Sequence, residues 1–247
     1  MRNTVDILGV KVDKLNMSQS VNTVMEFLSE NKLHAVYTPN AEIMMAAHRD
    51  SYLKNILCQA DLLVADGAGV VLASKILGLG LPERVAGFDL VKNLFTQAEN
   101  REIKFFLFGG KPGIAEDAQK NIMAQYRNVK IVGCRDGYFN SSEENNIIDE
   151  INSSDADILL VALGAPRQEI WIHEHKDKLK VKICIGVGGS LDILSGNSKR
   201  APEFFQKHGL EWFYRLCKEP WRYKRMLDLP RFIIKVLKIR LTSKSKA

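Results

Sequence analysis

The 247-residue sequence predicts an α/β protein: a mostly parallel β-sheet with helices on both faces, followed by a basic helical C-terminal appendage. Three observations point there. Short apolar runs alternate with amphipathic stretches over residues 1–195, the pattern of strand–helix–strand units. Runs such as Phe105-Phe106-Leu107-Phe108 and Leu159-Leu160-Val161-Ala162 are apolar at every position, which fits strands buried on both faces. Beyond residue 195 strand-like runs stop and basic and aromatic residues take over.

The strand-like runs are 5–10, 33–38, 62–65, 103–108, 129–133, 158–163 and 183–187. A helix is predicted over 18–30, where Val21, Val24, Met25 and Leu28 recur at helical spacing and Asn16 or Ser18 can cap. Further helices are predicted over 40–48, 68–77, 88–100, 114–126 and 143–152. Pro220 suits the first turn of a short helix, where its missing N–H does no harm. Residues 231–241 form a last one, with Arg231, Lys235 and Lys238 on one side and Phe232, Ile233, Val236, Leu237 and Ile239 on the other. That apolar face is expected to lie in a membrane interface in preference to docking on the protein's own core. The chain thus divides into a Rossmann-like core, 1–195, and an appendage, 196–247, whose last six residues are expected to fray.

Composition narrows the function. No stretch reaches the about 20 apolar residues of a membrane span, and no secretion signal is expected from the first residues, which run straight into strand-like sequence. Cys58, Cys134, Cys184 and Cys217 are scattered without a CxxC pair, as in a cytosolic protein with reduced thiols. Cys58 and Cys184 lie in apolar surroundings and are expected in the core. From Lys199 onward 14 Lys/Arg stand against 4 Asp/Glu, a local +10 that leaves the remainder at −4 of a total +6. Such asymmetry points to an anionic partner: nucleic acid, anionic lipid or a phosphorylated substrate.

In a doubly wound sheet ligands bind beyond the carboxyl ends of the strands, so the loops after the runs matter most. Thr38-Pro39-Asn40-Ala41-Glu42 places a hydroxyl, an amide and helix N–H groups at one strand end. Ala65-Asp66-Gly67 places a carboxylate at another, suited either to capping or to general-base work on a sugar hydroxyl. Gly109-Gly110 lets backbone approach a phosphate, although the spacing matches neither a dinucleotide nor a Walker fingerprint. Leu163-Gly164-Ala165-Pro166-Arg167-Gln168-Glu169 opens a helix with an Arg that opposes the helix dipole, which suggests a ligand or a salt bridge to Glu169 or another acid. Gly186-Val187-Gly188-Gly189-Ser190-Leu191-Asp192 offers small residues for a diphosphate and a carboxylate for ribose.

Other chemistries find less support. His173 and His175 are two apart and point off different helix faces. Asp155-Ala156-Asp157 precedes a strand and so lies at the wrong end of the sheet for a metal-held sugar nucleotide. No metal or other cofactor is expected, so a leaving diphosphate needs Arg, Lys or backbone N–H groups. His34, inside an apolar run, reads as a satisfied core histidine. An oxidoreductase would carry a glycine cluster in its first βα turn, and Lys11-Val12-Asp13 carries none. A nucleic-acid-binding reading of the basic aromatic stretch at 212–225 leaves the polar strand-end loops unexplained.

Taken in order, these loops together with Arg84-Val85-Ala86-Gly87-Phe88-Asp89, Arg200-Ala201-Pro202, Gly209-Leu210-Glu211-Trp212-Phe213-Tyr214-Arg215-Leu216 and Glu219-Pro220-Trp221-Arg222 resemble the WecG/TagA/CpsF family of bacterial glycosyltransferases over the whole chain. The resemblance implies inverting transfer from a UDP-sugar to membrane-embedded undecaprenyl-diphosphate-GlcNAc. In the branch most resembled, UDP-ManNAc is the donor and the product is the wall teichoic acid linkage unit. A ManNAc uronic acid or glucose-type donor is the alternative. By the same resemblance Asp66 is the candidate base, and Thr38, Asn40 and Gln168 line the pocket. Asp192 is the nucleotide-site acid, and Arg215, Arg222 and Arg225 belong to an appendage that completes the site at the membrane. Gly109, Gly188 and Gly189 are expected beside the nucleotide. The expected location is the inner face of the cell membrane, with pairing between subunits left open.

Overall fold

The computed structural model describes residues 2–218, 220 and 223–244. Its centre is a sheet whose residues alternate between two cores. The strands of this sheet are β3 (His34–Tyr37), β4 (Leu62–Leu63), β5 (Lys104–Gly109), β6 (Lys130–Arg135), β7 (Ile158–Ala162) and β8 (Ile183–Gly186). They run in the order β4-β3-β8-β7-β5-β6, and every pairing is parallel. Phe105 and Leu107 enter one core while Phe106 and Phe108 enter the other, as the two-residue period of a strand requires.

One face is covered by α1 (Met17–Phe27), α5 (Gly87–Ala98), α6 (Ile114–Gln125) and α9 (Ser190–Leu194). The other is covered by α2 (Ala41–Arg49), α3 (Ser51–Cys58), α4 (Ala68–Leu77), α7 (Glu144–Ser153), α8 (Arg167–His175) and α13 (Asp228–Lys244). Three short helices, α10 (Glu203–Lys207), α11 (Glu211–Lys218) and α12 (Tyr223–Met226), lead from the core to α13. No strand follows β8 among the described residues. Nor is any described helix long and apolar enough to cross a membrane.

Several sequence expectations need correction. The run 5–10 is a hairpin, β1 (Thr4–Ile7) and β2 (Val10–Asp13), antiparallel and outside the main sheet. Leu8 and Gly9 turn it with φ of 57° and 83°. Lys11-Val12-Asp13 is therefore strand, and the first βα turn of the sheet is the one after β3, which has no glycine cluster either. Helix α3 was not anticipated; Asp50 caps it by accepting the Tyr52 N–H at 2.8 Å. Cys184 is in the core, but Cys58 is exposed at the end of α3, its thiol 3.5 Å from the Gly9 carbonyl. His34 is buried, yet neither ring nitrogen has a hydrogen bond. The ring stacks on Phe27 and faces Glu30 and Asp61, each at 3.3 Å. At the start of α1 the cap is Asn16, in a capping box with Gln19.

The last helix is the largest correction. Helix α13 starts at Asp228, with Pro230 in its first turn, and stays helical through Lys244. Of its apolar face, Phe232 and Val236 are wholly buried in the core and Leu229 and Ile233 pack against it. This face docks on the protein itself. A Cβ added on Gly69 of α4 would lie 2.6 Å from Leu229 Cδ1, so the two helices meet closely there. Asp228 accepts two hydrogen bonds from Arg49 at the end of α2, at 2.8 and 2.7 Å, and the Arg240 guanidinium donates to the Ile76 carbonyl. Burial of Phe232 should make Phe232→Ala cost about 3–5 kcal/mol of unfolding free energy, read from urea denaturation. A loss below about 1 kcal/mol, the scale of surface changes, would mean that α13 does not dock as described.

Candidate active site

The carboxyl ends of β3 and β4 lie side by side and bring two of the predicted loops together. Pro39 donates no hydrogen bond, but its carbonyl accepts the Asp66 N–H at 3.3 Å. Asn40 caps α2 by accepting the Ile43 N–H at 3.1 Å. Gly67 lies so close to Asn40 that an added Cβ would be 3.2 Å from the Asn40 Cβ. An added Cβ on Gly87 would lie 2.6 Å from the Thr38 hydroxyl. Gly87 also donates its N–H to Asp66 Oδ2 at 3.2 Å. Thr38, Asn40 and Asp66 thus surround one spot at the sheet edge, held by close backbone approach at two glycines.

Asp66 keeps 30% of its side chain exposed and is held by Arg84. Arg84 Nη2 donates to Asp66 Oδ1 at 3.0 Å, and its Nε to the Asp66 carbonyl. The same Nη2 donates to Glu211 Oε2 on α11 at 2.7 Å. Burial works against the Arg84 charge, but Asp66 and Glu211 outweigh it and push the guanidinium pKa up. Arg84 is therefore a fixed cation between a core carboxylate and an appendage carboxylate. Sequence reading quoted both residues within motifs and gave neither a role.

A second cluster forms at the ends of β7 and β8. Pro166 precedes α8, so Gln168 lies in its first turn, as expected. Gln168 is buried; its Oε1 accepts the Gly188 N–H at 2.9 Å and its Nε2 donates to Glu169 Oε1 at 2.8 Å. Any side chain on Gly186 would collide with the Gln168 amide, 2.7 Å away. Gln168 therefore braces the glycine loop after β8. Arg167 makes no salt bridge to Glu169, contrary to one sequence expectation. Its guanidinium lies over the Phe139 ring at 4.5 Å and donates to the Gly137 carbonyl at 3.3 Å.

Glu169, which the sequence offers only as a salt-bridge partner, is the most enclosed acid of this cluster. It is 2% exposed, and its Oε2 has no hydrogen-bond partner among the described residues. Tyr37, at the end of β3, donates its hydroxyl to the Glu169 carbonyl at 3.3 Å and ties the two clusters together. Burial raises the Glu169 pKa, and the Gln168 hydrogen bond offsets this only in part.

The remaining predicted residues are spread around this edge. Strands β5 and β7 are neighbours whose connections lead to opposite sides, to β6 and to β8, which makes a crevice of the kind that takes nucleotides. Gly109 lies there, with φ 127° and Ala162 backbone 2.4 Å from where a Cβ would be. Strand packing alone thus requires this glycine. Gly188, with φ 50°, and the exposed Gly189 precede α9, which carries the half-buried Asp192. Arg215 is exposed on α11. Arg225 on α12 reaches back to Glu42 of the first loop, Nε to Oε2 at 3.1 Å. Arg222 lies outside the described residues, as do both neighbours of Pro220. At the opposite end of the sheet Asp155 pairs with Lys104 Nζ at 2.5 Å and Asp157 accepts the Lys104 N–H at 2.9 Å, so both serve strand ends.

Comparison with known proteins identifies the family. The sequence model of the family described as "Glycosyl transferase WecG/TagA/CpsF family" matches residues 5–246. The chain belongs to this family. A relative from Bacillus subtilis (strain 168) is 36% identical over 224 residues, 90% of this chain and 87% of its own length. One from Bacillus spizizenii is 36% identical over 212 residues, 86% of this chain and 82% of its own. One from Staphylococcus aureus (strain MRSA252) is 34% identical over 236 residues, 95% of this chain and 92% of its own. All three are named N-acetylglucosaminyldiphosphoundecaprenol N-acetyl-beta-D-mannosaminyltransferase.

The buried family-motif acid Glu169 gives a pH test. Its pKa is raised in the folded state. Protonated Glu169 therefore contributes stability that is fully present below about pH 4.3, the unfolded value, and is lost as pH rises through the folded value. Glu169→Gln, neutral throughout, should lose this part of the pH dependence in urea unfolding between pH 4 and 8. A variant as pH-sensitive as wild type would show that Glu169 is not held protonated.

Proposed function

We propose that this protein moves N-acetylmannosamine from UDP-ManNAc to the 4-hydroxyl of GlcNAc in undecaprenyl-diphosphate-GlcNAc, forming the wall teichoic acid linkage unit. The observation that carries it is the partly exposed Asp66 carboxylate at the carboxyl edge of the sheet, oriented by Arg84 and the Gly87 N–H. The relatives' names supply the sugars. Asp66 takes the proton of the acceptor hydroxyl. The oxygen then attacks the anomeric carbon from the face opposite the diphosphate. The new O–C bond forms as the sugar–phosphate bond breaks, and the electron pair leaves on UDP, so the anomeric centre inverts. Thr38 and Asn40 stand beside the base to orient the acceptor. Gln168 holds the Gly188 loop, where Gly189 and Asp192 meet the nucleotide, with Gly109 at the neighbouring crevice. Arg215, Arg222 and Arg225 offset the charge that develops on the diphosphate, without a metal.

The test is UDP release from UDP-ManNAc with a lipid-diphosphate-GlcNAc analogue and EDTA present. Acceptor-dependent release is expected, and Asp66→Asn should lower kcat by about 10²–10⁴-fold while UDP still binds. Full turnover by a folded Asp66→Asn protein would remove the base assignment, and loss of turnover in EDTA would remove metal independence.

The lipid acceptor requires a membrane-facing surface, and the appendage supports one. With Phe232 and Val236 used internally, α13 still exposes Ile234, Leu237 and Leu241, which share one stripe at helical spacing. Trp212 and Phe213 of α11 are exposed as well. Basic residues beside an anionic leaflet contribute about 1 kcal/mol each. The protein therefore attaches peripherally to the inner face of the membrane. Replacing Leu237 and Leu241 together by Glu should abolish flotation with anionic vesicles and leave the melting temperature unchanged. Undiminished flotation would place the contact elsewhere.

A further inference from the structure

Glu211 has no part in the displacement above, yet it is the residue in which the core and the appendage meet. It is the first residue of α11, and its side chain is 14% exposed. One carboxylate oxygen accepts from Arg84 Nη2 at 2.7 Å. The other has no hydrogen bond and faces Arg200 Nε at 3.6 Å. Arg200 is itself clamped by Asp89 through two hydrogen bonds, at 2.5 and 2.6 Å, and lies over the Phe88 ring at 4.9 Å. Phe88 and Asp89 belong to the first turn of α5, directly after Gly87, whose N–H is on Asp66. The chain of contacts therefore closes on itself: Asp66, Arg84, Glu211, Arg200, Asp89, Gly87 and back to Asp66.

We infer that Glu211 is a positioning residue for the transfer, an inference that rests on the transferase reading: it fixes the appendage against the catalytic loop so that Asp66 and Arg215 keep one mutual geometry. Charge makes Glu211 hard to replace. Arg84 and Arg200 repel each other across it, and a cation removed from water needs a counter-charge. Without the Glu211 charge, each arginine retains a single carboxylate partner, and nothing draws α11 toward either. Helix geometry carries the effect onward. Arg215 is four residues after Glu211, on the same face of α11, so anchoring the first fixes where the second points. A second contact limits slippage. A side chain on Gly209, just before α11, would lie 2.8 Å from Ala68 at the start of α4. Two points thus set α11 against the turn that carries Asp66.

Glu211 touches no reacting atom, so its loss acts on the orientation of groups used in the transition state and not on donor uptake. Glu211→Gln in the full-length protein, with the lipid acceptor in vesicles, should lower kcat for UDP release by about 10- to 100-fold, the cost of a small misplacement, with KM for UDP-ManNAc nearly unchanged. Glu211→Asp, which keeps the charge, should recover part of that loss at a wild-type melting temperature. If Glu211→Gln does not fold, Arg200→Gln replaces it and should give a smaller loss, still confined to kcat, because Arg84 and Glu211 remain paired; a folded Arg200→Gln protein with wild-type kcat then overturns the inference. A folded Glu211→Gln protein with wild-type kcat, or with its loss confined to KM, overturns the inference and leaves the transferase reading intact. A wild-type protein that releases no UDP overturns both.

Discussion

Burial of the parallel sheet on both faces is the constraint on which the rest of the structure depends. With Phe105 and Leu107 committed to one core and Phe106 and Phe108 to the other, a central strand has no face left for a polar side chain. Chemistry is confined to the strand ends, where carbonyls and N–H groups also need partners. The loops after β3, β4, β7 and β8 meet this need with their own motif residues: Asn40 caps α2, Asp66 takes the Gly87 N–H, and Gln168 takes the Gly188 N–H. Each residue first solves a local backbone problem. In doing so it acquires a fixed place at the carboxyl edge of the sheet.

A sheet edge alone gives an open site, and the C-terminal segment adds to it. Its attachment is divided between apolar burial and charge. Phe232 and Val236 supply the burial, at a distance from Asp66 along the back of α2 and α4. Arg49–Asp228, Arg225–Glu42 and Arg84–Glu211 supply direction. Hydrophobic contact is non-directional, so burial can hold α13 in place without fixing how α11 is turned. The ion pairs are few, and those at Arg84 and Arg200 are partly shielded from solvent. They are the contacts able to specify orientation at the catalytic edge.

Much of this was legible in the sequence, for identifiable reasons. Unbroken apolar runs gave the buried strands, and capping residues such as Asn16 and Asn40 marked helix starts. The loop motifs led to Thr38, Asn40, Asp66 and Gln168 because each lies between the end of a strand and the first turn of the next helix. What sequence could not reveal was pairing across long separations. Arg84 and Glu211 are 127 residues apart and Arg49 and Asp228 are 179 apart, and no local period connects them. The hairpin was missed because Val5, Ile7 and Val10 read as one run, and its turn depends on positive φ at Leu8 and Gly9. The same limit applies to α13. An amphipathic pattern says that one face is buried, and it does not distinguish a bilayer from the protein's own core.

Placement of the appendage's charges gives its composition a physical sense. Only four acids fall among the residues from Lys199 onward. Two of them, Glu211 and Asp228, face inward onto core arginines. Arg200 and Arg225 are matched to Asp89 and Glu42 of the core. Inward docking thus uses complementary pairs drawn from both parts of the chain, and consumes nearly equal numbers of each sign. The surplus that remains is cationic and lies on the surface, with Arg215, Lys218 and Lys238 exposed among apolar neighbours. A segment that only had to dock would not need that surplus. On the proposed function, such a surplus suits a surface that attracts a phosphorylated lipid and rests on the anionic leaflet around it.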